Sequence, residues 1–166
     1  AKAVPYGEML LDELHSGKDK QVVYGFHKEA LLTLAEYLTQ HGIRCSVING
    51  DTNDKARNAY VKSFQETSEH RVFIANIRAA GVGVTLTRSP YIDMLESDWS
   101  PAGNAQAIKR IHRIGQRQTC HARFITLARS FDQTVNKIVS QKTAAIAKVE
   151  GTPMNAAPME QLAEYL

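Results

Sequence analysis

Apolar positions along the chain follow two spacings, one typical of strands and one typical of amphipathic helices. Short apolar runs rich in β-branched and aromatic residues predict strands over residues 22–26, 45–48, 72–75, 91–95 and 121–127. Apolar residues at i, i+3, i+4 and i+7 predict helices around residues 10–14, 31–38, 56–64, 105–115 and 135–146. Strands that alternate with helices through short connections indicate an α/β fold, with a mostly parallel sheet covered by helices.

The composition is that of one globular domain. The chain has 166 residues, of which 43% are hydrophobic and 22% charged, which excludes disordered, collagen-like and disulfide-rich classes. No apolar stretch approaches the roughly 20 residues that span a bilayer, so we predict no association with a membrane. Cys45 and Cys120 have no metal-ligand spacing, and we expect no metal site. We predict a domain over residues 1–150, followed by a tail or linker at 151–166 that is rich in Pro, Ala and Met.

The charge is mildly basic but unevenly distributed. The formal net charge is +3, which alone does not indicate a nucleic-acid-binding protein. Between Asp98 and Asp132 there is no acidic residue, whereas the same window holds the bases Lys109, Arg110, Arg113, Arg117, Arg123 and Arg129. Such a window is either a solvated basic face or a surface for phosphates. With no acidic residue nearby in sequence, only distant acids remain as ion-pair partners.

The segment QAIKRIHRIGQ, Gln106–Gln116, lies inside that basic window. Arg110 and Arg113 are three residues apart on a predicted helix that ends at Gly115, so they are expected on one face, with Gln106 one turn earlier. Guanidinium groups bind phosphate oxygens bidentately and stay charged. An arginine at a γ-phosphate stabilises the charge that develops during phosphoryl transfer. The alternative is a surface helix whose arginines only form ion pairs.

This segment resembles the sixth motif of the Swi/Snf family of superfamily-two DNA translocases. The family pattern is Gln-x-x-Gly-Arg-x-x-Arg and ends in His-Arg-Ile-Gly-Gln, and the final Gln116 distinguishes it from the pattern of DEAD-box RNA helicases. Further motifs of the family are similar, in the expected order, to residues 22–28, 48–52, 79–86 and 98–101. The resemblance covers residues 8–149, and the spacing between the fifth and sixth motifs is most similar to that of the annealing-helicase branch.

Four positions depart from the family pattern. Lys109 stands where the family has Gly, and Ser100 stands where it has Asn after the Trp. Asn76 and Ile77 replace Ser-Thr before the fifth motif. None of these departures changes the sixth-motif glutamine or arginines, so the roles that the resemblance implies for them are retained.

The resemblance implies a RecA-like three-layer sandwich and a set of site residues. The arginine fingers would be Arg110 and Arg113. The nucleotide would also be contacted by Gln106, Gly81 and Gly83. The DNA backbone would be contacted by His27, Lys28, Gly50, Arg57 and Thr85. Trp99 would couple the nucleotide edge to the DNA groove. Local sequence alone also allows roles without function for these positions. Lys28 can be a solvated residue at a helix start, Arg57 a surface arginine, Trp99 a packing residue, and Gly81 and Gly83 a glycine pair in a loop.

The sequence lacks the motifs that bind the phosphates of ATP and its Mg²⁺ in such motors. No G-x-x-x-x-G-K-[ST] phosphate loop is present. The string Asp12–His15 spells DExH, but it lies in a Leu-rich helical pattern, and we predict that it is structural. The chain is therefore expected to be the C-terminal lobe of a two-lobed motor, inactive alone. An absent N-terminal lobe would hold most of the ATP and its Mg²⁺, the motor would act on double-stranded DNA, and its location would be intracellular and DNA-associated.

Two alternatives remain open from the sequence. The basic window is also expected in a stand-alone DNA-binding module without an ATPase role. A Rossmann-type dinucleotide domain is disfavoured, because no G-x-G-x-x-G follows the first predicted strand and the pair Gly81 and Gly83 falls after the third.

Overall fold

Five parallel strands and four helices follow one another within the residues that the structure describes, and each strand except the fourth comes directly after a helix. The computed structural model describes residues 2–79, 83–126, 134, 136–139 and 141. The strands are β1 (Gln21–Gly25), β2 (Arg44–Ile48), β3 (His70–Asn76), β4 (Tyr91–Met94) and β5 (His121–Phe124). The helices are α1 (Ala3–His15), α2 (Lys28–Gln40), α3 (Asp54–Glu66) and α4 (Pro101–Ile108). All five predicted strands are confirmed, with ends that differ by a few residues.

The strands form one sheet in the order β2-β3-β1-β4-β5, and every neighbouring pair is parallel. The carboxyl ends of all strands therefore meet at one edge of the sheet, which we call the carboxyl edge. β2 and β3 lie on one side of β1, and β4 and β5 lie on the other side. Ligands in open α/β sheets bind at the carboxyl edge where the strand order changes in this way.

Helices cover both faces of the sheet. Alternate residues of β1 point to opposite faces: Val23 packs with the buried residues of α1 and α2, whereas Val22 and Tyr24 pack with Phe64 of α3 and Ala107 of α4. All five residues of β1 are buried, as expected for a central parallel strand. The three-layer sandwich expected from the sequence is confirmed.

Helix α1 packs closely on α2 and contains the DExH string. A Cβ at Gly7 would lie 2.6 Å from the ring of Tyr37, so only glycine allows this approach. The string Asp12–His15 is the last turn of α1, and Leu14 within it is buried in the core. The structural role predicted for this string is confirmed.

An ionic network centred on the buried Asp93 joins α1 to β4 and β5. Asp93 of β4 is 1% exposed and accepts a hydrogen bond from the Tyr6 hydroxyl at 2.7 Å. Arg123 donates to Asp93 at 2.6 and 2.8 Å and to Glu13 at 2.5 and 2.9 Å. Burial disfavours the charge of Arg123, but its hydrogen bonds to Asp93 and Glu13 outweigh that and raise its pKa above the ordinary value. This base of the basic window therefore pairs with distant acids.

A second buried polar pair lies at the amino end of β3. Lys20 is 1% exposed and donates to the backbone carbonyl oxygens of Thr67 and His70 at 2.5 and 2.6 Å. His70 is also buried, and its Nε2 has no hydrogen-bond partner among the described residues. Burial, followed by the charge of Lys20, lowers the pKa of His70 from 6.5 to about 4.

We expect the stability of the domain to fall as the pH is lowered from 6.5 towards 4. In that window the unfolded chain protonates His70, whereas the folded chain keeps it neutral, so the unfolded state binds more protons and is favoured. The free energy of unfolding should fall by about 2 kcal/mol between pH 7 and pH 5. Urea unfolding at the two pH values measures this loss. The variant His70→Asn should lose most of the pH dependence, and an identical dependence in both proteins would contradict the prediction.

The carboxyl-terminal part of the chain is described only at residues 134, 136–139 and 141, which are helical, with Val139 buried. The rest of the predicted helix 135–146 and the whole tail at 151–166 lie outside the described residues. The boundary at residue 150 therefore stays a prediction. Within the described part of the chain, no helix is long and apolar enough to cross a membrane.

Candidate nucleotide and DNA site

The predicted helix that carries the two arginines is shorter than expected. Helix α4 ends at Ile108, and the prediction that it continues to Gly115 was wrong. The backbone N–H of Arg110 donates to Ala107 at 3.0 Å, and that of Ile111 donates to Ile108 at 3.2 Å. These i to i+3 bonds tighten the chain into a series of turns. Arg110 and Arg113 therefore lie in an irregular loop and not on one face of a helix.

Two long-range contacts explain why the helix ends early. Ile111 is fully buried in the core, and the carbonyl of Arg110 accepts the backbone N–H of Leu86 at 3.0 Å. Gln116 then fastens the loop, because its Nε2 lies within 3.1–3.2 Å of the carbonyl oxygens of Thr87, Ser89 and Ile111. The sequence singled out Gln116 as a family marker and missed this structural role.

Arg110 is buried beside a cavity at the carboxyl edge. It is 8% exposed. The cavity has a volume of about 230 Å³ and is lined by Tyr24, Ile77, Arg78, Asp98, Gly103, Gln106, Ala107 and Arg110. The Tyr24 hydroxyl is buried there and has no hydrogen-bond partner among the described residues. The structure thus brings Gln106 and Arg110 together, as predicted, although not through a shared helix face.

Arg113 lies on the surface of the same loop and contacts the segment after β3. It is exposed, and its Nη1 donates to the Thr85 hydroxyl at 3.1 Å. Thr85, predicted as a DNA contact, therefore lies against an arginine finger candidate. Gly83 is exposed with a φ of 78°, a conformation that favours glycine. Gly81, its predicted companion at the nucleotide, lies outside the described residues.

The loop before α4 is tightly hydrogen-bonded and presents Trp99. The buried side chain of Asn104 exchanges two hydrogen bonds of 2.9 Å with the backbone of Asp98. Ser100 is the N-cap, and its Oγ accepts from the backbone of Gly103 at 3.5 Å. Serine therefore caps this helix where the family has Asn. Trp99 between these bonds is 47% exposed.

The other predicted DNA contacts lie in the loops after β1 and β2. Lys28, at the start of α2, forms an ion pair with Asp51, which links the two loops. Gly50 precedes Asp51, and a Cβ there would meet nothing within 4 Å. Arg57 of α3 donates to Asp54 at 2.9 Å. We call His27, Lys28, Gly50 and Arg57 the DNA-side cluster.

The residues of the cavity fit the phosphates of a nucleotide better than a metal ion. Arg78, Arg110 and Gln106 carry donors for phosphate oxygens. Asp98 is the one carboxylate among the described lining residues, and its Oδ1 already accepts the backbone N–H of Ser100 at 3.0 Å. The arrangement can stabilise developing negative charge, and we place no Mg²⁺ ligand in it.

One residue of this edge was not found from the sequence. Glu96 follows β4 and accepts hydrogen bonds from the loop after β1. An acidic residue directly after a strand is a usable signal. Its partner could not be predicted, because the sequence does not show that β4 pairs with β1.

Comparison with known proteins agrees with the fold and the motifs. The family described as helicase conserved C-terminal domain matches residues 6–115. The chain is 33% identical over 134 residues to the chromatin-remodeling ATPase INO80 of Aspergillus oryzae. The matched segment covers 80% of this chain and 9% of that protein. It is 27% identical over 139 residues to the SWI/SNF-related matrix-associated actin-dependent regulator of chromatin subfamily A-like protein 1 of Drosophila melanogaster, covering 84% of this chain and 18% of that protein.

A solved structure shows the same fold. The C-terminal part of the Fun30 ATPase domain superposes with a TM-score of 0.76 at 19% identity, covering 83% of this chain and 44% of that one. The chain thus spans less than a fifth of the two relatives described above. The family prediction is confirmed, whereas the annealing-helicase branch stays a prediction. The chain belongs to the family of helicase conserved C-terminal domains and is similar, within it, to Swi/Snf-type ATPases.

Proposed function

We propose that this chain is the C-terminal lobe of an ATP-dependent translocase on double-stranded DNA. The observation that carries the proposal is the position of Arg113. Its guanidinium is exposed at the carboxyl edge, held by Thr85 at 3.1 Å, and follows the buried Arg110 in a domain of the helicase family. An N-terminal RecA-like lobe would close over this edge with ATP between the two lobes.

In this proposal the chain's own residues act on the phosphates. Arg113 reaches the γ-phosphate as the lobes close and stabilises the negative charge that develops on its oxygens. Arg110, held in place by burial, and Gln106 orient the phosphate chain from the cavity side. Mg²⁺, which the N-terminal lobe would mainly hold, would neutralise negative charge on the phosphates. Gly81 and Gly83 allow the backbone to approach the nucleotide closely.

DNA binding is assigned to the DNA-side cluster and to Thr85, which lies against Arg113 and apart from that cluster. The ion pair of Lys28 with Asp51 is exposed, with side-chain exposures of 53% and 76%. Exposed pairs contribute little stability, so a DNA phosphate can replace Asp51 at small cost. Arg57 is more enclosed, at 22% side-chain exposure, and is pre-oriented by Asp54. The exposed Trp99 would couple the two sites, because its loop leads directly into α4.

The relatives suggest where such a motor acts. Those described above are named as a chromatin-remodeling ATPase and as a regulator of chromatin. We propose an intracellular, DNA-associated location for this chain, with double-stranded DNA and the N-terminal lobe of the same polypeptide as its partners.

We expect the isolated chain to hydrolyse almost no ATP, because the phosphate loop and the Mg²⁺ ligands belong to the other lobe. A two-lobed protein, in which this chain follows an N-terminal RecA-like lobe, should hydrolyse ATP faster when double-stranded DNA is added. Steady-state release of phosphate, with and without DNA, measures both rates. The N-terminal lobe alone is the matched control and should show no stimulation by DNA.

Two outcomes of this experiment would contradict the proposal. One is vigorous hydrolysis by the pure isolated chain. The other is a folded two-lobed protein whose rate of ATP hydrolysis does not change when DNA is added, together with an isolated chain whose affinity for DNA depends strongly on salt. The second outcome would favour the stand-alone DNA-binding module.

A further inference from the structure

The carboxylate of Glu96 binds the loop between β1 and α2 at three points. Its Oε2 accepts the backbone N–H groups of Phe26 and His27 at 2.9 and 2.7 Å, and its Oε1 lies 2.7 Å from Nδ1 of His27. Only 20% of the Glu96 side chain is exposed, so water competes weakly for these bonds. Hydrogen bonds to an ionised acceptor are roughly twice as strong as neutral ones. This loop is therefore firmly attached to the chain after β4.

Helix α2 begins without a side-chain cap of its own, and the carboxylate of Glu96 lies at its N-cap residue. His27 is the N-cap residue, and its side chain accepts no hydrogen bond from the first turn. The N–H groups at a helix start need acceptors from elsewhere, and negative charge near them is favourable. Glu96 supplies the negative charge and accepts the N–H of the N-cap residue, His27, from a position 69 residues away.

Asn76 holds the same loop from the opposite side. Its Nδ2 donates to the carbonyl of Phe26 at 2.6 Å, while its Oδ1 accepts the backbone N–H groups of Arg78 and Ala79 at 3.0 and 3.3 Å. The guanidinium of Arg78 lies over the ring of Phe26, 4.7 Å from its centre. Phe26 is thus fixed at its N–H by Glu96 and at its carbonyl by Asn76, one of the positions that depart from the family pattern.

These attachments lie between the two parts of the site. His27 and Lys28 belong to the DNA-side cluster, and the chain after Glu96 passes through Trp99 into α4. Arg78 lines the cavity beside Arg110. The loop that carries His27 and Lys28 is therefore positioned by Glu96 and by Asn76 at the end of β3, and the segments after both residues continue into residues that line the cavity.

We propose that Glu96 is a positioning residue that holds the loop of His27 and Lys28 in its DNA-binding conformation, with Asn76 as its counterpart. This inference rests on the proposed function. Without Glu96, two backbone N–H groups and the His27 imidazole lose their acceptor, and the loop occupies several conformations. Only a fraction of molecules is then competent to bind, which weakens the apparent affinity for DNA by that fraction.

The test uses the two-lobed protein and the variants Glu96→Ala and Glu96→Gln. ATP turnover is measured against the concentration of double-stranded DNA. We expect Glu96→Ala to raise the DNA concentration for half-maximal stimulation by about tenfold. Turnover at saturating DNA should change by less than about threefold, because bound DNA restores the loop conformation. Glu96→Gln keeps one acceptor oxygen and should fall between wild type and Glu96→Ala.

Glu69→Ala is the matched control. Glu69 is an exposed glutamate, 3.4 Å from Arg44, next to the amino end of β3, and its loss should leave the DNA dependence unchanged. If Glu96→Ala does not fold, the half-saturation shift of Glu96→Gln decides. A half-saturation concentration within twofold of wild type in a folded variant overturns the inference, as does an equal shift in Glu69→Ala. Absence of DNA stimulation in the wild-type protein would instead overturn the proposed function.

Discussion

Replacing Arg113 with alanine in the two-lobed protein is expected to lower ATP turnover about 10³-fold or more. The guanidinium of Arg113 is exposed and makes a single described hydrogen bond, to Thr85, so its removal leaves no buried group unsatisfied. The loss should therefore appear in the chemical step and not in folding. DNA binding without nucleotide should be largely spared. Phosphate release at saturating ATP and DNA, with a separate DNA titration, measures both quantities.

Two further variants make this test specific. Arg113→Lys keeps the charge but loses the planar fork that matches phosphate oxygens, so most of the loss should remain. Arg44→Ala removes an exposed arginine of β2 that pairs with Glu69, far from the carboxyl edge, and should keep wild-type turnover. A wild-type rate in Arg113→Ala would refute its role. Arg110 is less suitable for this test, because it is buried and its loss disturbs the core.

The largest loss of stability is expected from removing Arg123. Asp93 is 1% exposed and would keep only the Tyr6 hydroxyl as a described partner, which leaves an uncompensated charge inside the protein. Breaking a buried ion pair on one side costs about 3–5 kcal/mol. Urea unfolding of the variant Arg123→Met should show this decrease in the free energy of unfolding at neutral pH.

Two comparisons separate lost charge pairing from lost packing. The double variant Asp93→Leu with Arg123→Met replaces the pair by apolar groups and should recover much of the stability. Tyr6→Phe removes one hydrogen bond of 2.7 Å to the Asp93 carboxylate and should cost about 1.5–3 kcal/mol, less than the loss of the arginine. A loss below about 1 kcal/mol in Arg123→Met would show that the network contributes little.

Local patterns predicted most of the fold, because each strand and helix depends on its own residues. The run at 22–26 is apolar because β1 is buried on both faces. What failed was the end of α4. The residues after Ile108 still look helical, but Ile111 enters the core, and the N–H of Leu86 takes the carbonyl of Arg110. Both contacts are long-range, and no local pattern contains them.

The candidate site was predicted as a set of residues but not as an arrangement. Gln106 and Arg110 share a cavity, as expected, whereas Thr85 lies with Arg113 and not with the DNA-side cluster. Lys28 and Arg57 were predicted as cations for DNA, and both turned out to have acidic neighbours, Asp51 and Asp54. The pair of Arg57 with Asp54 is local, three residues apart in α3, whereas the pair of Lys28 with Asp51 depends on how two loops meet at the carboxyl edge. Strand order decides that, and a single sequence does not reveal it.

The bond between Arg123 and Glu13 also bears on how the domain assembles. These residues are 110 positions apart and join the first helix to the last described strand. β5 is an edge strand, paired only with β4 in the described sheet. Until α1 packs against the sheet, Arg123 of β5 lacks Glu13 as its ion-pair partner. Bringing together two residues that are so far apart in the chain costs conformational entropy. We therefore expect α1 and β5 to form one cooperative unit, which opens and closes together instead of fraying separately.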